Sequence, residues 1–384
     1  MPLVLGTLIG LAVLWPRGST PEVATGLELP AELVDGTITN TDPAPCPGIE
    51  EETGPQCLVA SVRLTTGPEP GRIIFLDVTP GPATPDFGPG DKIVLGHVTD
   101  LPPGAPESSE YYFADFQRDS SLLVLALLFA GAVVLLGRWS GLRALAALAV
   151  SLAVLVLFVL PAILQGRPPV AVAIVGSAAI MIVALYLSHG TNVRTTTALL
   201  GTLVSLALTG VLALVFVGAT ALSGLASEEA IYLQVSAESI NLQGLILAGI
   251  IIGSLGVLDD VTVTQASAVW ELRKANPAWG FGELYRPALR IGRDHIASTV
   301  NTLVLAYAGA SLPLLILFTQ AQRPLVEVAA GEIVATEIVR TLVGSIGLVA
   351  SVPVTTALTA AAVAGLPALR RSRGDDAASP PLPM

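Results

Sequence analysis

The chain is poor in charge: only 13% of its 384 residues are Asp, Glu, Lys or Arg, whereas 52% are hydrophobic. Soluble globular domains carry about 25% charged residues, so this composition excludes an ordinary soluble protein. Histidine is also scarce, with three in the chain, and His97 has none of the Cys, His or carboxylate neighbours in sequence that a zinc site needs. The sequence therefore predicts no metal site.

Other signatures are absent as well. No pattern of a nucleophile with its base, and no ATP-binding loop, occurs in the sequence. An intramembrane aspartyl protease would need carboxylates from two helices, and only one of the apolar runs described below contains Asp. We therefore expect no enzyme activity, no cofactor and no nucleic-acid partner.

Long apolar runs are what the chain has in abundance. About 18 or more consecutive apolar residues suffice to cross a bilayer. The candidate spans are residues 3–15 (short), 121–137, 144–164, 170–188, 197–222, 242–264, 296–318 and 338–365. They predict a polytopic α-helical membrane protein of about seven or eight transmembrane helices, with the lipid bilayer as its partner.

The polar segment between the first two spans, residues 16–118, has the sequence pattern of a small β domain. Hydrophobic residues alternate with polar ones in QCLVASVRLTT at 56–66, and RIIFLDV and KIVLGHV follow after Gly- and Pro-rich turns. We predict a small extracytoplasmic β-barrel-like domain. Cys46 and Cys57 flank a turn-rich stretch and would form a disulfide in an oxidising exterior, two unrelated thiols being the alternative.

Four regions follow from these patterns. They are an N-terminal anchor helix or weak signal segment at 1–15, the β domain at 16–118, a transmembrane domain of seven helices at 119–370, and a disordered cytosolic tail at 371–384. Arg and Lys concentrate in alternate loops, which places those loops and both termini in the cytoplasm and residues 16–118 outside. The cations on that side are Arg138, Arg143, Arg194, Arg273, Lys274, Arg286, Arg290, Arg293, Arg370, Arg371 and Arg373.

The acidic pair Asp259–Asp260 follows an uncharged run that begins at Leu242. Helical spacing puts Asp260 on one face with a stripe of small residues and Glu271; the stripe comprises Gly249, Gly253, Gly256, Thr264 and Ser267. This predicts that Asp260 points into a packed seam and that Asp259 lies off it. An intramembrane carboxylate indicates function, so the predicted ion- or proton-coupling residues are Asp259, Asp260, Thr264, Gln265 and Glu271. The alternative is that the helix ends at Leu258 and both Asp are cytosolic.

Two further groups of polar residues lie in later spans. Ser298, Asn301 and Thr302 open one span and could either hydrogen-bond to Asp260 or make ordinary interhelical contacts. Glu337 and Arg340 are three residues apart, which suits an ion pair within the membrane or a salt bridge at its surface.

Several segments resemble the YibE/F family of bacterial multi-pass membrane proteins. The resemblance rests on LDDVTVTQASAVWEL, HGTNVRTTTALLGTL, TVNTLVLAYAGASLPLL and RTLVGSIGLVASVPVTT, and it covers nearly all of the membrane part. It implies a bacterial cell-membrane protein of a family usually called transporters by default.

A second, weaker resemblance covers about 60 residues. GVLDD, ELRK and ALRIGRDHIASTVNTLVL are similar to elements of resistance-nodulation-division pumps and of the SecD/SecF motor. The resemblance implies that Asp259 or Asp260 carries protons. Two extra helices, a smaller outer domain and the absence of an intramembrane lysine depart from that pattern.

Two functions are therefore expected. The first is a secondary, proton- or ion-coupled transporter or exporter of an unknown small molecule or ion, in which the Asp pair holds an exchangeable proton. The alternative is a proton-driven motor or assembly factor that acts on exported proteins through the outer β domain. A homo-oligomer is compatible with either.

Overall fold

The computed structural model describes residues 2–18, 32–45, 56–78, 81, 84–98, 110–236, 240–320 and 324–365. The chain divides into two compact units, one of Ala24–Leu135 and one of Met1–Val23 with Leu136–Met384. The boundary between the two units falls near residue 135, within a helix. Each unit contains its own hydrophobic core.

The smaller unit contains a five-stranded antiparallel sheet in the order β3-β2-β1-β4-β5. Its strands are β1 (Glu32–Pro45), β2 (Gln56–Leu64), β3 (Ile73–Val78), β4 (Lys92–His97) and β5 (Tyr111–Phe116). The predicted alternation is confirmed in β2, where Ala60, Val62 and Leu64 are buried. The two edge strands approach each other, and Arg72 pairs with Glu110 at 3.3 Å. The sheet is therefore curved into half of a barrel.

The remaining elements are helical. They are α1 (Pro2–Leu14), α2 (Asp119–Val154), a π-helical turn (Leu155–Val159), α3 (Leu160–Leu164), α4 (Pro169–His189), α5 (Val193–Ala219), α6 (Glu228–Ser236), α7 (Leu242–Ala275), α8 (Phe281–Ala310), α9 (Leu312–Gln320), α10 (Leu325–Ala330) and α11 (Glu332–Ala364). Helix α1 packs against α4, and Trp15 stacks on Phe158 with ring centroids 5.8 Å apart.

Among the described residues, five helical stretches are long and apolar enough to cross a membrane, or six if α8 and α9 form one bent span. This count does not confirm the predicted seven or eight spans, because it leaves out the shorter apolar helix Pro2–Leu14 and takes residues 119–164 as one stretch. Two predicted spans, 121–137 and 144–164, lie in one 46-residue stretch that departs from helical geometry at Arg138. Helices α8 and α9 meet at 63°, because Pro313 has no N–H to continue the helical bonding.

Helices α5, α7 and α11 pack against one another at the centre of the larger unit, and α4 and α8 pack around them. Small and hydroxyl residues bring α5 and α11 together. Thr359 donates a hydrogen bond to Thr197 at 3.0 Å, and Gly347 lies against Thr209 so closely that a Cβ there would overlap its hydroxyl. The tightly packed small-residue seam of this bundle therefore lies between α5 and α11.

Candidate functional site

The glycine stripe of α7 lies on an exposed face of the helix. Gly249, Gly253, Gly256 and Asp260 are all exposed, whereas the opposite face is buried in the bundle core. The prediction that Asp260 points into a packed seam is therefore wrong. The spacing correctly predicts that these residues share one face of α7. The residues of the opposite face repeat at the same spacing, so spacing alone cannot tell which face packs. The structure shows that the packed face is the one with Leu255, Leu258 and Val261, which are buried.

The structure reverses the predicted environments of the two aspartates. The side chain of Asp260 is 71% exposed, and Asp259 is partly buried. The Oδ1 atom of Asp259 is inaccessible to solvent and accepts no hydrogen bond within the described part of the chain. A buried carboxylate oxygen without a partner is costly, so Asp259 is the carboxylate that most requires a bound proton or cation. Because α7 continues unbroken to Ala275, the alternative that the helix ends at Leu258 is also wrong.

His295 of α8 is the residue that faces this pair. Its Nε2 atom lies 3.9 Å from Asp260 Oδ2, is itself inaccessible to solvent, and has no hydrogen-bond partner among the described residues. This distance is too long for a hydrogen bond, and an approach of about 1 Å would let Nε2 donate a charge-assisted hydrogen bond to the carboxylate. Asp259, Asp260 and His295 therefore form a cluster of ionisable groups shared by α7 and α8.

The sequence analysis missed His295, although a signal was available. Helices α7 and α8 are joined by a short turn around Ala278, which lies 18 residues after Asp260 and 17 residues before His295. Two antiparallel helices joined by a short turn bring residues equally far from that turn to the same level. Counting from the turn would therefore have placed His295 opposite the acidic pair.

The other predicted coupling residues are not gathered at this cluster. Thr264 is exposed, and Glu271 pairs with Lys274 at 2.9 Å on the surface. Gln265 lies on the buried face of α7, where its amide donates hydrogen bonds of 2.7 Å to Ala288 O and to Thr356 Oγ1. These hydrogen bonds connect α7 to α8 and α11, so Gln265 links the three helices.

Ser298, Asn301 and Thr302 make no hydrogen bond to Asp260 within the described part of the chain. All three are exposed, and the Thr302 hydroxyl donates to the Ser298 carbonyl of its own helix at 3.0 Å. Asn301 lies about 120° around the helix from His295, because each residue turns the helix by about 100°. Of the two alternatives that the sequence left open, the hydrogen bond to Asp260 is therefore not found among the described residues.

A second polar group lies further along the same face of α7. The predicted ion pair forms, with Arg340 Nη1 donating to Glu337 Oε1 at 2.6 Å and both side chains 28% exposed. Arg340 Nη2 lies 3.9 Å from the position of a Cβ on Gly249, and the Tyr307 hydroxyl lies 3.3 Å from that of Gly253. Polar side chains of α8 and α11 thus approach the glycines of α7.

The β unit contains a separate polar cluster around His97. Its Nδ1 lies 3.8 Å from Glu32 and its Nε2 lies 3.5 Å from Glu110, while its ring stacks on Tyr111 at 4.8 Å. His97 therefore has carboxylate neighbours in space, which the strand register supplies and the sequence does not show. Burial, together with Glu110, raises the pKa of Tyr111 above its ordinary value. Among the described residues, no three His, Cys, Asp or Glu side chains are placed to hold a metal ion.

The predicted disulfide involves a position that the structure does not describe. Cys57 is buried in β2, and Cys46 lies outside the described residues. The disulfide therefore stays a prediction.

Comparison with known proteins gives one match. The family model described as YibE/F-like protein matches residues 125–365, from α2 to the end of α11, which is more than half of the chain. No curated protein and no solved structure matches. The partial resemblance to resistance-nodulation-division pumps and to SecD/SecF stays a prediction.

Proposed function

The chain belongs to the YibE/F-like protein family and has several helices that are apolar enough to cross a membrane. From these premises we propose that it carries out proton- or ion-coupled secondary transport across the bacterial cell membrane. The observation that carries the proposal is the cluster of Asp259, Asp260 and His295. We further propose the orientation that the Arg and Lys distribution favours, with both termini in the cytoplasm and the β domain outside.

The depth of the cluster suits exchange with the cytoplasm. Asp259 is 17 residues from Leu242, the start of α7, which corresponds to about 26 Å of helix. A hydrocarbon layer is about 30 Å thick, so in the proposed orientation Asp259 lies near the cytoplasmic end of the span. Asp260 beside it is exposed, which gives an exchangeable proton or ion a way in from that side.

The chemistry of the cluster suits a coupling site. Asp259 has a buried oxygen without a partner, so binding of a proton or cation supplies what the protein leaves unsatisfied. The imidazole of His295 approaches Asp260 from the neighbouring helix, and its ring nitrogens can donate or accept a hydrogen bond. A change of protonation would therefore alter the attraction between α7 and α8, which is how ion binding can bias two arrangements of a bundle.

The test uses the full chain, purified and reconstituted in liposomes with an imposed membrane potential and a pH-sensitive dye inside. We expect proton uptake that Asp259→Asn abolishes, because the amide keeps the shape of the side chain and cannot exchange a proton. The matched control is Glu271→Gln, which neutralises an exposed carboxylate on the same helix and should leave the uptake unchanged.

A second readout does not require the substrate. In infrared difference spectra taken across a pH step, the carboxyl band of Asp259 should be missing from Asp259→Asn and retained in Glu271→Gln. Uptake by the unsubstituted protein no faster than in empty liposomes, together with unchanged infrared spectra for Asp259→Asn, would contradict the proposal.

A further inference from the structure

We propose that Tyr307 and the Glu337–Arg340 pair form the outer half of the proton or ion path whose inner half is Asp259, Asp260 and His295. This inference rests on the proposed function and extends it to the route by which the ion reaches the coupling site. The path would run in the groove that α8 and α11 form with the glycine face of α7.

Polar groups meet α7 in order along its axis. Arg340 approaches Gly249, the Tyr307 hydroxyl approaches Gly253, and His295 approaches Asp260. From Gly249 to Asp260 the helix rises about 16 Å, so these groups cover roughly half the thickness of a hydrocarbon layer. The steps between successive levels are about 6–10 Å, which one to three hydrogen-bonded waters can bridge.

The groove is open between the outer polar group, which is Tyr307 with the Glu337–Arg340 pair, and the inner cluster of Asp259, Asp260 and His295. A Cβ on Gly256 would have no heavy atom within 4 Å, and Gly249, Gly253 and Gly256 are exposed. The side chains beside the groove contain buried polar atoms that lack partners among the described residues: Arg340 Nε, His295 Nε2 and Asp259 Oδ1. Such atoms require hydrogen-bonding partners that the described chain does not supply, and water in the groove would provide them.

The first experiment tests for water in the groove without any transport assay. Gly256→Cys has room for its side chain, and the matched control is Leu208→Cys, an exposed position in the middle of α5. A charged methanethiosulfonate reagent reacts with the thiolate, which forms in water and not in hydrocarbon. In liposomes, Gly256→Cys should therefore be labelled at least about tenfold faster than Leu208→Cys. Labelling of the unsubstituted protein gives the background of the native cysteines.

The second experiment tests Tyr307 in the proton-uptake assay. Tyr307→Phe removes the hydroxyl at the middle level of the path and should slow uptake at least about tenfold. Tyr285→Phe is the matched control on the same helix, because Tyr285 stacks on Phe281 away from the groove and its substitution should leave the rate unchanged.

The outcomes separate this inference from the proposed function. If the unsubstituted protein moves protons and Asp259→Asn does not, the proposed function stands. Equal labelling of Gly256→Cys and Leu208→Cys, or full uptake by Tyr307→Phe, would then overturn the path alone. If the unsubstituted protein moves no protons, the proposed function fails, and rapid labelling of Gly256→Cys would still support a water-filled groove.

Discussion

The location of the tightly packed seam can be tested with two glycines in the middle of long helices. A Cβ on Gly347 of α11 would overlap the Thr209 hydroxyl and would lie 3.1 Å from Thr209 Cβ, and Thr209 is fully buried in α5. A Cβ on Gly256 of α7 would touch nothing within 4 Å. We therefore expect Gly347→Ala to destabilise the protein and Gly256→Ala to leave it unharmed.

The expected magnitudes follow from two opposing effects. Forcing an extra methyl into a packed interface costs about 1–3 kcal/mol. Replacing Gly by Ala inside a helix gains up to about 1 kcal/mol. Gly347→Ala should therefore lose about 1–2 kcal/mol, and Gly256→Ala should gain about 0.5–1 kcal/mol. The two variants should differ by about 1.5–3 kcal/mol.

The assay is reversible unfolding of the full chain in mixed detergent micelles, with a compensating variant as control. Adding Thr209→Ala to Gly347→Ala removes the hydroxyl that the new methyl overlaps and should recover most of the lost stability. The reasoning is refuted if Gly256→Ala is the more destabilising of the two, since the seam would then lie on the glycine stripe of α7.

Three further outcomes are expected. Arg340→Ala should destabilise the protein more than the double change with Glu337→Ala, because the single change leaves the half-buried carboxylate of Glu337 without its partner. Equal unfolding midpoints for the unsubstituted protein and both variants would show that the pair does not contribute to stability. Gln265→Leu should cost about 1–3 kcal/mol in the same unfolding assay, because it removes two buried hydrogen bonds that tie α7 to α8 and α11, and an unchanged midpoint would count against that link. Intact-mass analysis with a thiol label should find Cys46 and Cys57 in a disulfide, and labelling of both would remove the argument for an oxidising exterior.

The proposed transport function does not assign a role to the β domain. The alternative of a motor or assembly factor requires that this domain respond to protonation of the bundle. Crosslinking or distance measurements on the full chain at two pH values, compared between the unsubstituted protein and Asp259→Asn, would detect such a response. If the distances within the β domain do not change with pH in either protein, the motor alternative is contradicted and transport remains the proposed function.

The sequence by itself determined the class of protein and most of its elements. An apolar run long enough to cross a bilayer must form a helix, because the backbone groups have no water to bond to there. Helices α4, α5, α7 and α11 could therefore be located from hydropathy. Alternation at a period of two located β2, because one face of a strand must be buried. The run 296–318 was harder to interpret, because hydropathy averages over residues and does not register the bend before Pro313.

Only the tertiary structure decided which face of each helix packs. The stripe from Gly249 to Asp260 and the buried face that carries Leu258 repeat at the same helical spacing, so periodicity cannot choose between them. The choice depends on which neighbouring helices offer a complementary surface, and α5 and α11 offer theirs to the Leu258 face. For the same physical reason Asp259, and not Asp260, is the carboxylate with a buried oxygen, whereas Asp260 lies beside His295, a residue 35 positions further along the chain.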